Sequence, residues 1–305
     1  MFLSIVITTR NRIEDLFRCI ESIKKSELKN LKWELIIVDD NSSDKTGKLS
    51  IKDLNIKVGR IIHCQSQQMM VKARNIGAMA ARGKYILFID DDNIVDKEMI
   101  NRLVKCADEN NTIGVIGPRM FYYPSKKEYM SYQSFNFYTG RTYGKVVDGQ
   151  VGIIDSMGVP NVFLIRKEVF EECGYFDEKL IQTYSESDFS FRINKFGWRS
   201  GICQEAITYH NCSPLERYTP RMLGGGGGFT QKAYCLIRNR MIIVKRYGNL
   251  FQKIFFLFIF GWFWPLVYSL IMIKDKKWDL IKLYWLGFRD GIYYYFTNKI
   301  INSLR

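Results

Sequence analysis

The stretch Tyr85-Ile86-Leu87-Phe88-Ile89-Asp90-Asp91-Asp92-Asn93 decides the fold, because five apolar residues run directly into three carboxylates. The apolar run suits a buried strand, and a parallel strand in an open α/β sheet delivers the residues at its C-terminal end to the ligand crevice. Like charges clustered there are costly unless a cation sits among them. Oxygen ligands suit hard divalent ions such as Mg²⁺ or Mn²⁺, which commonly bridge protein carboxylates to a bound phosphate. These residues alone leave two readings open. One is a metal-assisted diphosphate site; the other is an acidic loop capping the next helix, since Asp and Asn favour N-caps and turns.

Outward from this strand, apolar runs alternate with helical patterns from residue 1 to about 118. Leu3–Thr8 reads as a strand, followed by a helix from Ile13 whose apolar positions Ile13, Leu16, Phe17, Ile20 and Ile23 recur at three- and four-residue spacing. Leu35–Val38 is a second strand, ending in the turn-rich Asp39-Asp40-Asn41-Ser42-Ser43-Asp44, and Gly59–His63 is a third. Helices are predicted over Val71–Ala81 and Lys97–Asn110, and a strand over Thr112–Gly117 closing at Pro118. Strand–helix alternation predicts an α/β fold with a mostly parallel sheet flanked by helices. Residues 119–160 are rich in Tyr, Gly and Ser without a helical period and predict loops with short antiparallel strands. Beyond them come a strand at Val162–Ile165, helices at Lys167–Cys173 and Asp188–Phe196, and a strand at Ser200–Tyr209 ending at His210. The expected organisation is one domain over 1–215, in halves 1–118 and 119–215, followed by a helical region over 216–305.

Bulk properties narrow the classes. With 47% apolar and 25% charged residues among 305, the chain is globular in composition. Seven cysteines, an odd count without a Cys-x-x-Cys pair, predict reduced thiols in a cytosolic setting. The N-terminal apolar run Leu3–Ile7 is too short for a signal peptide. Net charge is +14, and residues 216–305 carry fifteen Lys and Arg against four Asp and Glu. A basic, apolar end implies an anionic surface as partner. No helix-turn-helix, zinc-finger or RNP-type pattern supports nucleic acid, so the expected partner is a membrane surface.

Gly224–Gly228 is a flexible linker by composition. Ile254–Ile273 is twenty residues without a charge, bounded by Lys253 and by Lys274, Lys276 and Lys277. That length matches a bilayer core. Trp262, Trp264 and Pro265 at its middle also suit an in-plane or re-entrant hairpin, and a buried helix of a soluble domain is a third reading. Trp278–Phe296 mixes aromatics with charge, as interfacial helices do.

Four separated segments, in order, resemble a family 2 glycosyltransferase of the nucleotide-sugar-binding GT-A fold. They are Ser4 to Arg12 (SIVITTRNR), Ile36 to Asp44 (IIVDDNSSD), Ala81 to Asp92 (ARGKYILFIDDD), and a run from Phe163 through Gly174-Tyr175-Phe176-Asp177-Glu178 to Glu186-Ser187-Asp188-Phe189-Ser190-Phe191-Arg192. The resemblance implies a nucleotide-binding half at 1–118 and an acceptor half at 119–215. Thr8, Arg10, Asp39 and Asp40 would lie along the nucleotide, with Asp40 accepting a hydrogen bond from the base. Arg74 would sit near the diphosphate; the alternative for it is a solvated helix residue. Asp90 and Asp92 form the DxD pair, with Asp92 the direct metal ligand and Asp90 or Asp91 nearer the ribose. His210, in Thr208-Tyr209-His210-Asn211, would be a metal ligand or phosphate contact.

The family's catalytic base stands two residues before the Asp of D-x-x-x-R, here Asp188 and Arg192, so the base position is Glu186. Ser185 replaces the usual first acid. Direct displacement with inversion requires such a carboxylate to take the acceptor hydroxyl's proton. Arg238-Asn239-Arg240 after Tyr234 resembles the family's Y-x-x-x-RN element, and Arg238 and Arg240 would meet a lipid-linked pyrophosphate or headgroups. The expected enzyme uses Mn²⁺ or Mg²⁺ and a nucleoside-diphosphate sugar at the cytoplasmic face of a membrane. Its acceptor would be a polyprenyl-linked glycan, a polyprenyl phosphate or a surface-polysaccharide precursor. A sugar nucleotidyltransferase or a Rossmann oxidoreductase would need glycines after the first strand, and Thr8–Arg12 has none. The alternative is a non-catalytic membrane scaffold that kept the fold.

Overall fold

The structure, a computed structural model, describes residues 2–28, 31–212 and 231–304. The Gly224–Gly228 run and the 215/216 boundary lie outside them.

Strands β1 (Phe2–Thr9), β2 (Lys32–Asp39), β3 (Gly59–His63) and β4 (Tyr85–Asp90) pair in parallel, in the order β4-β1-β2-β3. On the other side of β4 lies β11 (Val162–Arg166), antiparallel to it. Beyond β11 come β6 (Ile113–Tyr122), then β12 (Arg199–His210) and β10 (Ile153–Asp155), with β5 (Asn93–Val95) pairing β12 and β7 (Glu128–Met130) pairing β6. Strands β8 (Tyr132–Asn136) and β9 (Arg141–Lys145) form a separate two-stranded sheet. β6 continues past Pro118 to Tyr122, further than the sequence pattern predicts. The parallel partner β12 shifts register between Cys203 and Ile207, and this irregularity accommodates a residue without an N–H to donate.

Alternation along the strands builds two cores. Leu3, Ile5, Ile7, Leu35, Ile37, Tyr85, Leu87 and Ile89 face α1 (Ile13–Lys24) and α3 (Met99–Glu109), which contribute Leu16, Ile20, Ile23, Ile100 and Leu103. Val6, Ile36, Val38, Ile86, Phe88, Phe163 and Ile165 face the other way. They meet α2 (Met70–Ala80), α4 (Lys167–Cys173) and α5 (Ser185–Asn194) through Val71, Phe170, Phe189 and Ile193. Runs apolar at every position, as in β2 and β4, are what a sheet covered on both faces requires. Helix α5 begins three residues before the predicted start, so Glu186 lies in its first turn.

The chain divides into two compact units. One comprises Met1–Ser134, Gly144–Phe176 and Phe189–Cys212; the other comprises Phe135–Tyr143, Asp177–Asp188 and Ser213–Arg305. In the second, α6 (Gln231–Tyr247) packs lengthwise on α9 (Trp278–Thr297). Gly287 lets the backbone of α9 approach the backbone of Tyr234, where a Cβ has no room. The Tyr234 hydroxyl donates to Asp290 at 2.6 Å within this contact. α7 (Leu250–Phe255) and α8 (Gly261–Lys274) are joined by a wide π turn at Phe256–Phe260 and run on as one helix, Leu250–Lys274, with Pro265 inside it. The uncharged segment is therefore a continuous helix and not a hairpin. It is long and apolar enough to cross a membrane, and Phe258, Leu266 and Leu270 are exposed along it.

Candidate active site

Parallel register places the strand ends in one row: Thr9 opposite Asp39 and Thr8 opposite Asp90. Antiparallel pairing of His210 with Asn93 brings the end of β12 to the same place, and the Asn211 amide donates to the Asp92 carbonyl at 2.9 Å. Five residues assigned from sequence to nucleotide or metal, Thr8, Asp39, Asp90, Asp92 and His210, thus share one sheet edge.

Each carboxylate in the row has a different partner. Arg74 is almost fully buried and donates to Asp90 at 2.7 Å, with its guanidinium 5.4 Å from the Phe163 ring centroid. The alternative of a solvated helix residue fails for Arg74. Asp91 is buried and accepts from the Thr9 hydroxyl at 2.7 Å and from Arg12 Nη1 at 3.0 Å. Burial raises its pKa to about 7 despite Arg12, with Asp92 adding to the rise. Asp92 accepts from the same Arg12 nitrogen at 3.0 Å and stands 3.5 Å from His210 Nε2. Burial opposes the Asp92 charge, but His210 and Arg12 overcome it and hold this acid below the ordinary carboxylate range. For His210 burial works against the imidazolium, yet Asp92, with help from Cys212, carries its pKa to about 10. The Tyr129 hydroxyl lies 3.1 Å from Nδ1 on the other side of the ring.

The neighbouring loops are tied together. Asn11, in the left-handed region at φ 54°, accepts the Ser43 amide on its side-chain oxygen at 2.8 Å, joining the turns after β1 and β2. Asp39 meets His63 Nδ1 at 2.9 Å and accepts the Ser42 amide at 3.2 Å. Asp40 accepts the Gln68 and Met69 amides just before α2 and so ties the entry of that helix to the end of β2. Burial raises its pKa against those bonds and against the charge of Arg10. Arg12, Thr9 and His63 are contributors that sequence reasoning did not assign. Thr9 and Arg12 had a signal, since both belong to the SIVITTRNR segment; His63 had none.

The donor set fits a divalent ion in part. Asp92 and His210 offer an oxygen and a nitrogen suited to Mn²⁺, in surroundings negative enough to draw in an imidazolium and a guanidinium. Asp90 pairs with Arg74. Among the described residues, the one group of three metal-binding side chains with ligand atoms within 4.8 Å of one another is Cys106, Cys203 and Glu205, so Asp90, Asp92 and His210 do not form a closed set.

The remaining assigned residues belong to the other unit. Glu186 is partly exposed and accepts from the Ser185 hydroxyl at 3.0 Å. Asp188 is buried, with Arg246 Nη1 at 2.7 Å and the Tyr247 hydroxyl at 2.9 Å. Arg238 and Arg240, expected to meet headgroups or an acceptor, are instead buried within their own unit. The Arg238 guanidinium donates to the Lys179 carbonyl, and Arg240 donates to the Tyr184 hydroxyl at 3.2 Å. A basic side chain beside an apolar helix looks the same in sequence whether it faces lipid or a loop from much earlier in the chain; here the loop at 179–184 takes both.

Comparison with known proteins agrees with this architecture. Residues 4–174, more than half of the chain, match the profile of Glycosyl transferase family 2, and the chain belongs to that family. Glycosyltransferase GlyG of Streptococcus pneumoniae is 29% identical over 186 residues, covering 56% of this chain and 58% of that protein. Poly(ribitol-phosphate) beta-N-acetylglucosaminyltransferase TarP of Staphylococcus aureus is 29% identical over 117 residues, 37% of this chain and 35% of that one. This chain thus aligns with less than two thirds of the length of these relatives. Among solved structures, GalNAc-T7 with UDP, GalNAc and Mn²⁺ superposes with a TM-score of 0.61 at 17% identity, covering 83% of this chain and 54% of that one. S. aureus TarS 1-349 superposes with a TM-score of 0.54 at 17% identity, covering 99% and 93%. The fold is GT-A.

Proposed function

We propose that this chain is an inverting, divalent-metal-dependent glycosyltransferase that moves a sugar from a nucleoside-diphosphate sugar to an acceptor hydroxyl at a membrane. The observation that carries this reading is the row of strand ends. Arg74–Asp90, Arg12 with Asp91 and Asp92, and His210 stand along one edge of a family 2 sheet, where a diphosphate and its ion would be received. Asp92 and His210 would hold the ion, which supplies charge neutralisation for the departing nucleoside diphosphate. Arg74 holds Asp90 in place through its ion pair, and Asp39 and Asp40 order the loops that flank the nucleotide. Glu186 takes the acceptor proton. Asp188, assigned from sequence beside it, acts through Arg246 and Tyr247 as a positioning residue.

Exposed Phe258, Leu266 and Leu270 with Lys274, Lys276 and Lys277 at the helix end support membrane association, in plane or as a single span, with the site on the cytoplasmic side. The names of TarP and TarS suggest a phosphate-bearing polymer as a further acceptor class beside lipid-linked glycans and polyprenyl phosphate. The deciding test is a thermal-shift panel of UDP, GDP, dTDP and CMP with and without Mn²⁺, on wild type and Asp92→Ala. Metal-dependent stabilisation by one nucleotide, lost in the variant, is expected. No stabilisation by any of them would leave the non-catalytic scaffold.

A further inference from the structure

The segment that leads into Glu186 is strained. Ile181, Thr183 and Tyr184 have φ of 64°, 60° and 62°. Two of them are β-branched, for which the left-handed region is a real outlier, and such conformations persist only where surroundings over-determine them. Helix α6 supplies those surroundings. The Asn239 side-chain amide donates to the carbonyls of Leu180 at 2.7 Å, Gln182 at 2.6 Å and Thr183 at 3.1 Å. Arg238 holds that amide in orientation by donating to Asn239 Oδ1 at 3.0 Å, and reaches the Lys179 carbonyl as well. Arg240 donates to the Tyr184 hydroxyl, which donates in turn to the Gly140 carbonyl at 3.1 Å.

Two turns further along the same helix, Arg246 grips both ends of the segment. One nitrogen donates to Asp177 at 2.6 Å and the other to Asp188 at 2.7 Å. Side chains of one helix thus fix a stretch whose own backbone preferences oppose its shape. Arg238, Asn239 and Arg240 are each at most 2% exposed, so a role in contacting lipid does not account for them.

We propose that Arg238-Asn239-Arg240, with Arg246 and Tyr247, are positioning residues that set the conformation of residues 179–186 and so the placement of Glu186. This rests on Glu186 being the base. Helix α6 does this from within its own unit, through side chains that a rigid helix presents at fixed spacing, which is what a precisely aimed carboxylate needs.

The test pairs two measurements on the full chain. Deuterium uptake over residues 177–188 is compared in wild type, Asn239→Ala and Tyr184→Phe; the last removes one hydroxyl and keeps the ring should Asn239→Ala fail to fold. Turnover is followed as nucleoside diphosphate released from UDP-, GDP- and dTDP-sugars, as a function of pH. Asn239→Ala should speed exchange in the segment and lower kcat by about 100-fold, with KM for the sugar nucleotide within about twofold and the acidic limb of the pH profile displaced. Tyr184→Phe should do the same more weakly, and Arg246→Lys should recover part of what Arg246→Ala loses. Unchanged exchange in both Asn239→Ala and Tyr184→Phe overturns the clamp. Faster exchange with wild-type kcat and pH profile overturns the positioning role. Wild-type turnover in Glu186→Gln overturns the base assignment instead, and leaves the exchange result as it stands.

Discussion

Two arginines in this molecule each bridge a pair of aspartates, and they do it differently. Arg12, on the turn after β1, serves Asp91 and Asp92 with a single nitrogen at 3.0 Å each, and nearly half of its side chain is exposed. Arg246, on α6, uses two nitrogens for Asp177 and Asp188, at 2.6 and 2.7 Å, and is mostly covered. The fork on α6 is a fitted geometry: both arms of a planar group are used, and the Tyr247 hydroxyl backs one of them. The contact at the strand ends is a charge drawn to charge, through one nitrogen of a long, half-exposed side chain. One region is a two-armed, covered fit; the other is a one-nitrogen contact on a half-exposed side chain.

The largest expected effect separates the two by kind of damage. Asp92→Ala should lower sugar-transfer turnover by about 10³-fold and remove metal-dependent nucleotide stabilisation, with the melting temperature of the metal-free protein little changed. Arg246→Ala should do the reverse to stability. Leaving Asp188 buried without its cation costs about 3 kcal/mol, read as a fall in melting temperature or denaturant midpoint. If both variants behaved alike, the contrast would collapse.

A pH series without metal sharpens it further. The folded-state pKa of Asp91, about 7, lies above its ordinary value, so between roughly pH 4 and 7 the native state holds a proton that the unfolded chain has lost. Stability therefore falls as pH rises through that window, by up to about 1.4 kcal/mol per unit. Asp91→Asn should flatten the slope in thermal melts taken in chelator. Above this window His210 adds in the same direction: its pKa near 10 means that its contribution is present at neutral pH and is lost as pH climbs from about 6.5 toward 10. The smallest effect concerns Arg12 itself. If it competes with the ion, Arg12→Ala should tighten Mn²⁺ binding about fivefold by calorimetry, a difference of about 1 kcal/mol as expected for one exposed charge. Weaker binding would make Arg12 a partner of the ion and not its rival.

Legibility in the sequence tracked the range of the interactions. Strands β2 and β4 announce themselves because both faces are buried, and the carboxylates at their ends are aimed by the sheet whatever the loops do. Arg74 lies buried beside the strand ends, and its pairing with Asp90 depends on helix α2 lying over β4, which no local pattern reports. Arg12 meets an acid 79 residues away, and nothing at its own position says so. The Arg238-Asn239-Arg240 triplet misled for a physical reason: apolar and basic neighbours suit a membrane interface, while the true partners are mostly backbone carbonyls, which have no sequence signature. Asp188 shows the same limit, since its pairing with Arg246 and Tyr247, more than fifty residues on, has no signature at its own position.

The wide turn at Phe256–Phe260 has a consequence for the rest of its helix. A π turn carries one residue more than an α turn, and each helical residue advances the chain by about 100° and 1.5 Å. Gly261–Lys274 is therefore phased by that extra residue, and in this phase the Trp264 indole donates to the Thr139 carbonyl at 2.7 Å while its ring lies 4.7 Å from the Arg240 guanidinium. A one-residue deletion within Phe256–Phe260 would keep the helix, its length and its hydropathy nearly intact, yet swing Trp264 away from both partners and turn a different stripe of apolar side chains outward.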